Sequence, residues 1–159
     1  MTYTIKAHAT KYRGITFRSR LEATWAAFFD LAGWQWSYEP LDLEIETQSG
    51  KQWWTPDFIV TFACRHSECR WDEPYGEHTL YCEVKPYHSL EQFKGHIVDK
   101  LLWEPVGAKL GLNPSVTAFE MSHGAGGGVF SVPSFVHDWF DLWAKASSFT
   151  QYRRVGGTA

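Results

Sequence analysis

Four charged side chains in this sequence have the types and positions that metal-assisted hydrolysis of a phosphodiester requires. Asp57 and Glu83 each lie in a short apolar run of β-prone residues, where a carboxylate needs a compensating partner. A bound divalent cation is an adequate partner, because it neutralises both carboxylates at once. Lys85 follows Glu83 by two residues, so in a strand the two side chains share a face. Glu22 is a third acid, near the predicted start of a helix.

The expected chemistry depends on whether two strands are neighbours. If the strands that carry Asp57 and Glu83 are adjacent, both carboxylates can reach one Mg²⁺ at about 2.1 Å. The backbone carbonyl of Val84 is a further candidate ligand, and Glu22 would complete the shell directly or through water. The metal would polarise the scissile phosphate and lower the pKa of a bound water. Lys85 would orient or deprotonate that water, or neutralise charge on the phosphate.

Each of these residues also has an ordinary structural explanation. Glu22 lies three residues after Ser19 and completes the pattern of a capping box. Glu83 and Lys85 form a common surface pair on an antiparallel strand, and an acid after a proline, as at Asp57, is typical of a turn. Only their joint occurrence in this order, each on a suitable element, favours the metal site.

Size and composition limit the class of protein. A chain of 159 residues with 44 % apolar residues, nine Trp and eleven Phe suits a single domain with an aromatic-rich core. We expect one domain over 1–159, with its core at about 11–146, a basic N-terminal arm at 1–18 and a loose tail at 147–159. Three cysteines, an odd number, favour a reducing compartment over a disulfide framework. No secretory signal or transmembrane segment is expected, which predicts a cytoplasmic protein without a membrane partner.

The charge of the chain is unevenly distributed. Its net value of −3 does not by itself indicate a nucleic-acid ligand. Basic residues and no acids occupy the first twenty positions, whereas the middle of the chain is acidic. Basic termini that improve solubility are the ordinary explanation. Beside a metal site, the same arm would instead contact a DNA backbone through four candidate side chains: Lys11, Arg13, Arg18 and Arg20.

Hydrophobic periodicity predicts the elements that position these residues. Helical spacing predicts helices at 19–32, 89–103 and about 134–146, and the first two begin with a capping-box pattern. Alternation of apolar and polar residues predicts strands at six ranges: 34–38, 41–46, 53–62, 79–85, 116–121 and 129–132. The resulting order, α-β-β-β-α-β(β)-α, implies an α/β fold with a mixed sheet and helices on both faces.

A second group of metal-binding side chains lies in the polar loop at 64–78. Four of them are candidates for a structural Zn²⁺, although their spacing is irregular: Cys64, His66, Cys69 and His78. Cys82 is not a candidate, since it is expected on the apolar strand face opposite Glu83. Zinc is therefore an open alternative at this loop.

Four short strings of the sequence resemble the PD-(D/E)XK nuclease superfamily. They are, in chain order, Phe17-Arg18-Ser19-Arg20-Leu21-Glu22, Tyr38-Glu39-Pro40, Trp54-Thr55-Pro56-Asp57-Phe58 and Tyr81-Cys82-Glu83-Val84-Lys85. Within that superfamily the chain looks most like the phage endonuclease I type, which resolves branched DNA such as Holliday junctions. The resemblance covers about residues 11–120.

This resemblance implies a restriction-endonuclease-like mixed β-sheet flanked by helices, and an endonuclease that hydrolyses DNA with Mg²⁺, for which Mn²⁺ substitutes. It also implies Asp57 and Glu83 as metal ligands, Lys85 beside the water and Glu22 as an auxiliary acid. Duplex or branched DNA would be the partner, in the cytoplasm or in that of a phage's host, and two symmetric cuts would favour a homodimer. Two alternatives stay open: a nuclease-fold DNA-binding or assembly protein without turnover, and a zinc-stabilised interaction module.

Overall fold

A computed structural model describes residues 8–64, 69, 76–101, 105–123 and 126–151. Ten strands and two α-helices lie in these ranges. The strands, in chain order, are β1 Thr10–Tyr12, β2 Ile15–Phe17, β3 Gln35–Tyr38, β4 Leu43–Thr47, β5 Gly50–Trp54, β6 Phe58–Ala63, β7 Glu77–Val84, β8 Gly107–Leu110, β9 Thr117–His123 and β10 Gly126–Phe130. The helices are α1 Arg20–Ala32 and α2 Trp139–Phe149. The chain is therefore of the mixed α/β class that the sequence predicts.

Six strands form one mixed sheet in the order β10-β9-β8-β7-β6-β3. Only the β7–β8 pair of this sheet is parallel, and the other described neighbours pair antiparallel. The pairs β1–β2 and β4–β5 form separate two-stranded sheets. The prediction of one strand at 53–62 is wrong, because β5 ends at Trp54 and β6 begins at Phe58 in a different sheet. Pro56 lies at this break, where it cannot donate a ladder hydrogen bond.

Helix α1 begins and ends where its sequence predicts. The Ser19 hydroxyl accepts a hydrogen bond from the Glu22 N–H at 3.1 Å, which caps the start of the helix. Gly33 adopts the left-handed conformation, with φ at 78°, and its N–H donates to the Asp30 carbonyl at the end. The Trp25 indole, on the buried face, donates to the Gly111 carbonyl at 3.0 Å. This bond ties α1 to the chain just after β8.

The two faces of the central sheet have different covers. Residues from alternate positions of β6, β7, β8 and β9 pack with α1 and α2 in one aromatic-rich core. On the other face a smaller cluster contains Ile45, Trp54, Phe93 and Val98, with Tyr81 of β7 packed against it. That second cover consists of the β4–β5 hairpin and two short 3-10 helices, so among the described residues no α-helix covers this face, where the sequence predicts one.

The predicted second helix at 89–103 is wrong. The described part of this range holds two 3-10 helices, Leu90–Phe93 and Ile97–Lys100. Gly95 between them has φ at 85°, a left-handed conformation that cannot continue a helix. The His96 Nδ1 then accepts from the Val98 N–H at 3.2 Å and caps the second turn. The capping-box pattern was correct, since the Gln92 side chain accepts from the Ser89 N–H at 3.1 Å.

Both ends of the described chain contain regular secondary structure that the sequence does not predict. The basic arm contains the β1–β2 hairpin, and its turn residues Arg13 and Gly14 both have positive φ. Helix α2 begins five residues later than predicted and runs to Phe149, past the predicted start of the loose tail. The buried Thr150 hydroxyl then contacts the Thr24 hydroxyl at 2.6 Å. Among the described residues, neither helix combines the length and apolar character that a membrane span needs.

Candidate functional site

Three buried carboxylates lie near one end of the central sheet. Glu22, Asp57 and Glu83 are only 6, 5 and 7 % exposed. The Asp57 N–H donates to the Cys82 carbonyl at 2.9 Å, and its Oδ2 accepts from the Val84 N–H at 2.8 Å. These two bonds hold Asp57 against the end of β7, beside Glu83. The adjacency of β6 and β7 that the metal site requires is therefore present.

The environment of Asp57 opposes its negative charge. Burial raises the pKa of Asp57 from 3.8 to about 7, and the neighbouring Glu83 and Glu22 charges act in the same direction. The Val84 N–H and the Arg18 guanidinium oppose this shift but do not cancel it. A carboxylic acid with such a pKa becomes a good ligand only when a cation compensates its charge, and such perturbed groups are typical of functional sites.

Glu83 contacts three side chains, of which sequence reasoning identified one. Lys85 Nζ lies 3.7 Å from Glu83 Oε1, so the two side chains lie on the same side as predicted, although β7 ends at Val84 and Lys85 follows it. The Trp54 indole donates to Glu83 Oε2 at 3.0 Å, and His96 Nε2 lies 3.3 Å from Oε1. No local pattern marks His96 as a partner of Glu83, because it lies in a range whose sequence predicts a regular helix.

Glu22 does not form the reciprocal capping box. Its Oε1 accepts from the Ser19 hydroxyl at 2.9 Å and its Oε2 accepts from the Tyr38 hydroxyl at 3.0 Å. One oxygen from each of Glu22, Glu39 and Asp57 lies within 4.8 Å of the others. Glu83 is not a member of this tight group among the described residues. The structure thus brings Glu39 beside Asp57, although the sequence predicts no role for this residue of the Tyr38-Glu39-Pro40 string.

Arg18 lies inside this group of acids. Its Nη2 is 2.6 Å from Glu39 Oε1, 3.1 Å from Asp57 Oδ1 and 3.9 Å from Glu22 Oε2. The side chain of Arg18 is nevertheless 68 % exposed. A residue predicted to contact DNA therefore also acts as an internal counter-ion of the carboxylates.

The other predicted DNA contacts differ in their surroundings. Lys11 is exposed on β1. Arg13 Nη1 pairs with Asp30 Oδ1 at 2.9 Å. Arg20 donates to the carbonyls of Thr150 and Ser147, both at 3.1 Å, so it binds the carboxyl-terminal end of α2. These contacts give Arg13 and Arg20 structural roles within the domain.

The cysteine and histidine side chains form a second group. Cys64, Cys69 and His78, three of the four zinc candidates, lie together with His123. The remaining candidate, His66, lies outside the described residues. His123 was missed because it is distant in sequence, at the end of β9, and only the sheet brings it to the loop.

The chain was compared with protein-family models, with curated proteins and with solved structures, and no match was found. The function is therefore inferred from the arrangement of the residues themselves.

Replacing Asp57 by Asn is expected to make the stability of the metal-free protein less dependent on pH. The unfolded chain releases the Asp57 proton near pH 4, whereas the folded protein retains it up to about pH 7. The unfolded state therefore binds fewer protons in this window, and the free energy of unfolding decreases as the pH rises from about 4 to 7. Over this pH window, Asp57 lowers the free energy of unfolding by about 3 kcal/mol. The Asp57→Asn variant should not show this decrease.

Chemical unfolding at pH 5 and pH 8 in the presence of a chelator measures this effect. Glu46→Gln, which removes an exposed acid on β4, is the matched control and should keep the wild-type difference. The same difference between the two pH values in wild type and Asp57→Asn would contradict the prediction.

Proposed function

We propose that this protein is a metal-dependent endonuclease that hydrolyses phosphodiester bonds in DNA. The observation that supports it is the convergence of three buried carboxylates, Glu22, Asp57 and Glu83, with Lys85 beside them. Buried charges of one sign repel each other, and a divalent cation would relieve that repulsion. The available ligand atoms are oxygens, which suit Mg²⁺ or Mn²⁺. The restriction-endonuclease-like fold is part of the same proposal.

The residues have distinct roles in this proposal. Asp57 would hold the metal together with Glu22 or Glu39, because their oxygens already lie within 4.8 Å of one another. When bound, the metal would polarise the scissile phosphate and supply an activated water. Glu83 positions the Lys85 ammonium, which donates to that water or to a phosphate oxygen. Burial of the acids excludes competing solvent and strengthens these charge interactions.

The surface around the acids offers groups that suit a nucleic-acid strand. The side chain of Arg18 is 68 % exposed although its Nη2 pairs with the acids, and Lys11 is exposed on the neighbouring β1–β2 hairpin. Trp53 is 68 % exposed, and it precedes the Trp54 that contacts Glu83. Cations of this kind bind phosphates, and an exposed indole can stack on an unpaired base. Branched DNA, in which the continuous stacking of base pairs is interrupted at the branch point, is the most specific form of the proposed substrate.

The test is an incubation of supercoiled plasmid, linear duplex and a four-way junction with Mg²⁺, with Mn²⁺ or with a chelator. We expect cutting with either metal and none with the chelator. The double variant Asp57→Asn/Glu83→Gln, purified in the same way, guards against a contaminating nuclease. Equal cutting by the wild type and the double variant would overturn the proposal. Preferential cutting of the junction, with a dimer in solution, would support the branched-DNA form.

A nuclease-fold protein that binds DNA without turnover is the second candidate. The position of Arg18 favours it, because its guanidinium is 3.1 Å from Asp57 and 2.6 Å from Glu39, where a metal would have to bind. Calorimetric titration of Mg²⁺ into wild type and Arg18→Met distinguishes the candidates. Binding that only the variant shows, together with DNA binding but no cutting by wild type, would favour the silent protein.

A further inference from the structure

Four side chains with zinc-binding chemistry meet at the opposite end of β6 from the acids. Cys64 directly follows β6, whereas Asp57 directly precedes it. A strand of this length separates the two residues by about 20 Å. One ligand atom from each of Cys64, Cys69, His78 and His123 lies within 4.8 Å of the others. The two groups of potential metal ligands are therefore independent sites.

The sheet topology explains how residues so distant in sequence meet. Strand β8 lies between β7 and β9, but it begins at Gly107, which pairs with Tyr81. Both neighbours extend beyond that point, β7 with His78 and β9 with His123. Past the start of β8 the two imidazoles approach each other, with ring centroids 5.6 Å apart. Because β8 is the shorter strand, His78 of β7 and His123 of β9 both lie beyond its start.

The separations within the group match those of ligands around one tetrahedral ion. The Sγ atoms of Cys64 and Cys69 lie 3.5 and 3.2 Å from Nδ1 of His123. A tetrahedral Zn²⁺, with bonds of about 2.3 Å to sulfur and about 2.1 Å to nitrogen, places its sulfur and nitrogen ligands about 3.6 Å apart. The ion would need only small side-chain movements to bind.

The surroundings are those of a closed, structural site. Cys69 is 1 % exposed and His78 is 8 % exposed. Phe62 lies 5.4 Å from the His78 ring, and Phe135 lies 5.2 Å from the His123 ring, between centroids. Four protein ligands in such a shell leave no position for a substrate, which distinguishes structural from catalytic zinc.

We infer that Cys64, Cys69, His78 and His123 together bind one Zn²⁺. The two cysteines are separated by four residues, within the range seen in zinc sites. Both thiols transfer their protons to the solvent on binding, and the imidazoles bind in the neutral form. The ion would join the end of β6, Cys69, the start of β7 and the end of β9. This inference does not depend on the proposed nuclease activity.

Metal analysis of the purified 159-residue chain tests the site. After gel filtration in excess Mg²⁺, the wild type should retain about one zinc per chain. Exchange with Co²⁺ should give the visible bands of a tetrahedral ion and a near-ultraviolet thiolate band. The variants Cys69→Ser and His123→Ala should lose most of the zinc, whereas Cys82→Ala, which changes a buried cysteine of the same sheet, should retain it.

The outcomes separate this inference from the proposed function. Asp57→Asn/Glu83→Gln should keep its zinc whether or not the wild type cuts DNA. Wild-type protein purified with added zinc that holds no zinc and gives no Co²⁺ spectrum would overturn the inference. So would a mass two daltons lower that identifies a Cys64–Cys69 disulfide in protein kept under reducing conditions. If the ligand variants fail to fold, the Co²⁺ spectrum of the wild type still shows whether the protein holds a tetrahedral ion bound by thiolates.

Discussion

Lys85→Met is expected to lower the rate of DNA cleavage about a hundredfold or more while leaving the affinity for Mg²⁺ nearly unchanged. Lys85 Nζ lies 3.7 Å from Glu83, so the substitution removes a cation from beside the acids without removing a carboxylate. Methionine retains most of the apolar stem of lysine, which limits the effect on folding. The rate with saturating Mg²⁺ and the Kd for Mg²⁺, measured on the same preparations, separate the two roles.

Two further variants serve as controls for the Lys85→Met experiment. Lys51→Met removes an exposed ammonium on β5 and should cut at the wild-type rate. Asp57→Asn should lose both the rate and the metal affinity, since it removes a proposed ligand. A Lys85→Met protein that cuts as fast as wild type would show that Lys85 has no part in the reaction. An equal loss of metal affinity in Lys85→Met and Asp57→Asn would mean that Lys85 only supports the metal site.

Trp25→Ala is expected to lower the free energy of unfolding by about 3–5 kcal/mol. Trp25 is fully buried, and its ring contacts Phe28 and Trp143 at centroid distances of 5.5 and 4.7 Å. The substitution leaves a large cavity between α1 and α2 and removes the donor to the Gly111 carbonyl. Because α1 carries Glu22, removing the Trp25 side chain also weakens the packing that positions one carboxylate of the site. Chemical unfolding followed by circular dichroism measures the change.

Trp25→Phe and Trp53→Ala define the scale of that effect. The first keeps an aromatic ring in the core but loses the hydrogen bond, so it should cost less than Trp25→Ala. The second removes a largely exposed indole and should change the free energy of unfolding by about 0.5 kcal/mol or less. Similar losses in Trp25→Ala and Trp53→Ala would contradict the assignment of Trp25 to the core.

The parts of the fold that local chemistry determines were predictable. Ser19 and Gly33 delimit α1, and the two-residue spacing of Glu83 and Lys85 predicts that their side chains lie on one side, as observed although Lys85 follows the end of β7. Strand β8 was missed because its four residues are too few for a periodic signal. The second helix was predicted wrongly because apolar spacing persists across Gly95, whose backbone conformation breaks the helix.

The site was predictable only in part, because some of its contacts depend on the tertiary structure and not on local sequence patterns. Asp57, Glu83 and Lys85 lie in recognisable strings, and one strand pairing brings them together. His96 and His123 reach their partners through contacts that depend on the tertiary structure, and no local pattern marks them. Arg18 was interpreted as a contact for DNA, whereas its ion pairs with Asp57 and Glu39 depend on the packing of the hairpin beside the sheet.

The hydrogen bond from the Trp54 indole to Glu83 has a practical consequence. Trp54 is 5 % exposed and donates to Glu83 Oε2 at 3.0 Å, so its indole ring lies beside a carboxylate. Indole emission responds to nearby charge, so a change in the ionic state of Glu83 would alter the fluorescence of Trp54. The chain has nine Trp, but the difference between wild-type and Trp54→Phe spectra isolates this one. We therefore expect the fluorescence of Trp54 to report, without a label, the binding of a cation at the proposed acidic site.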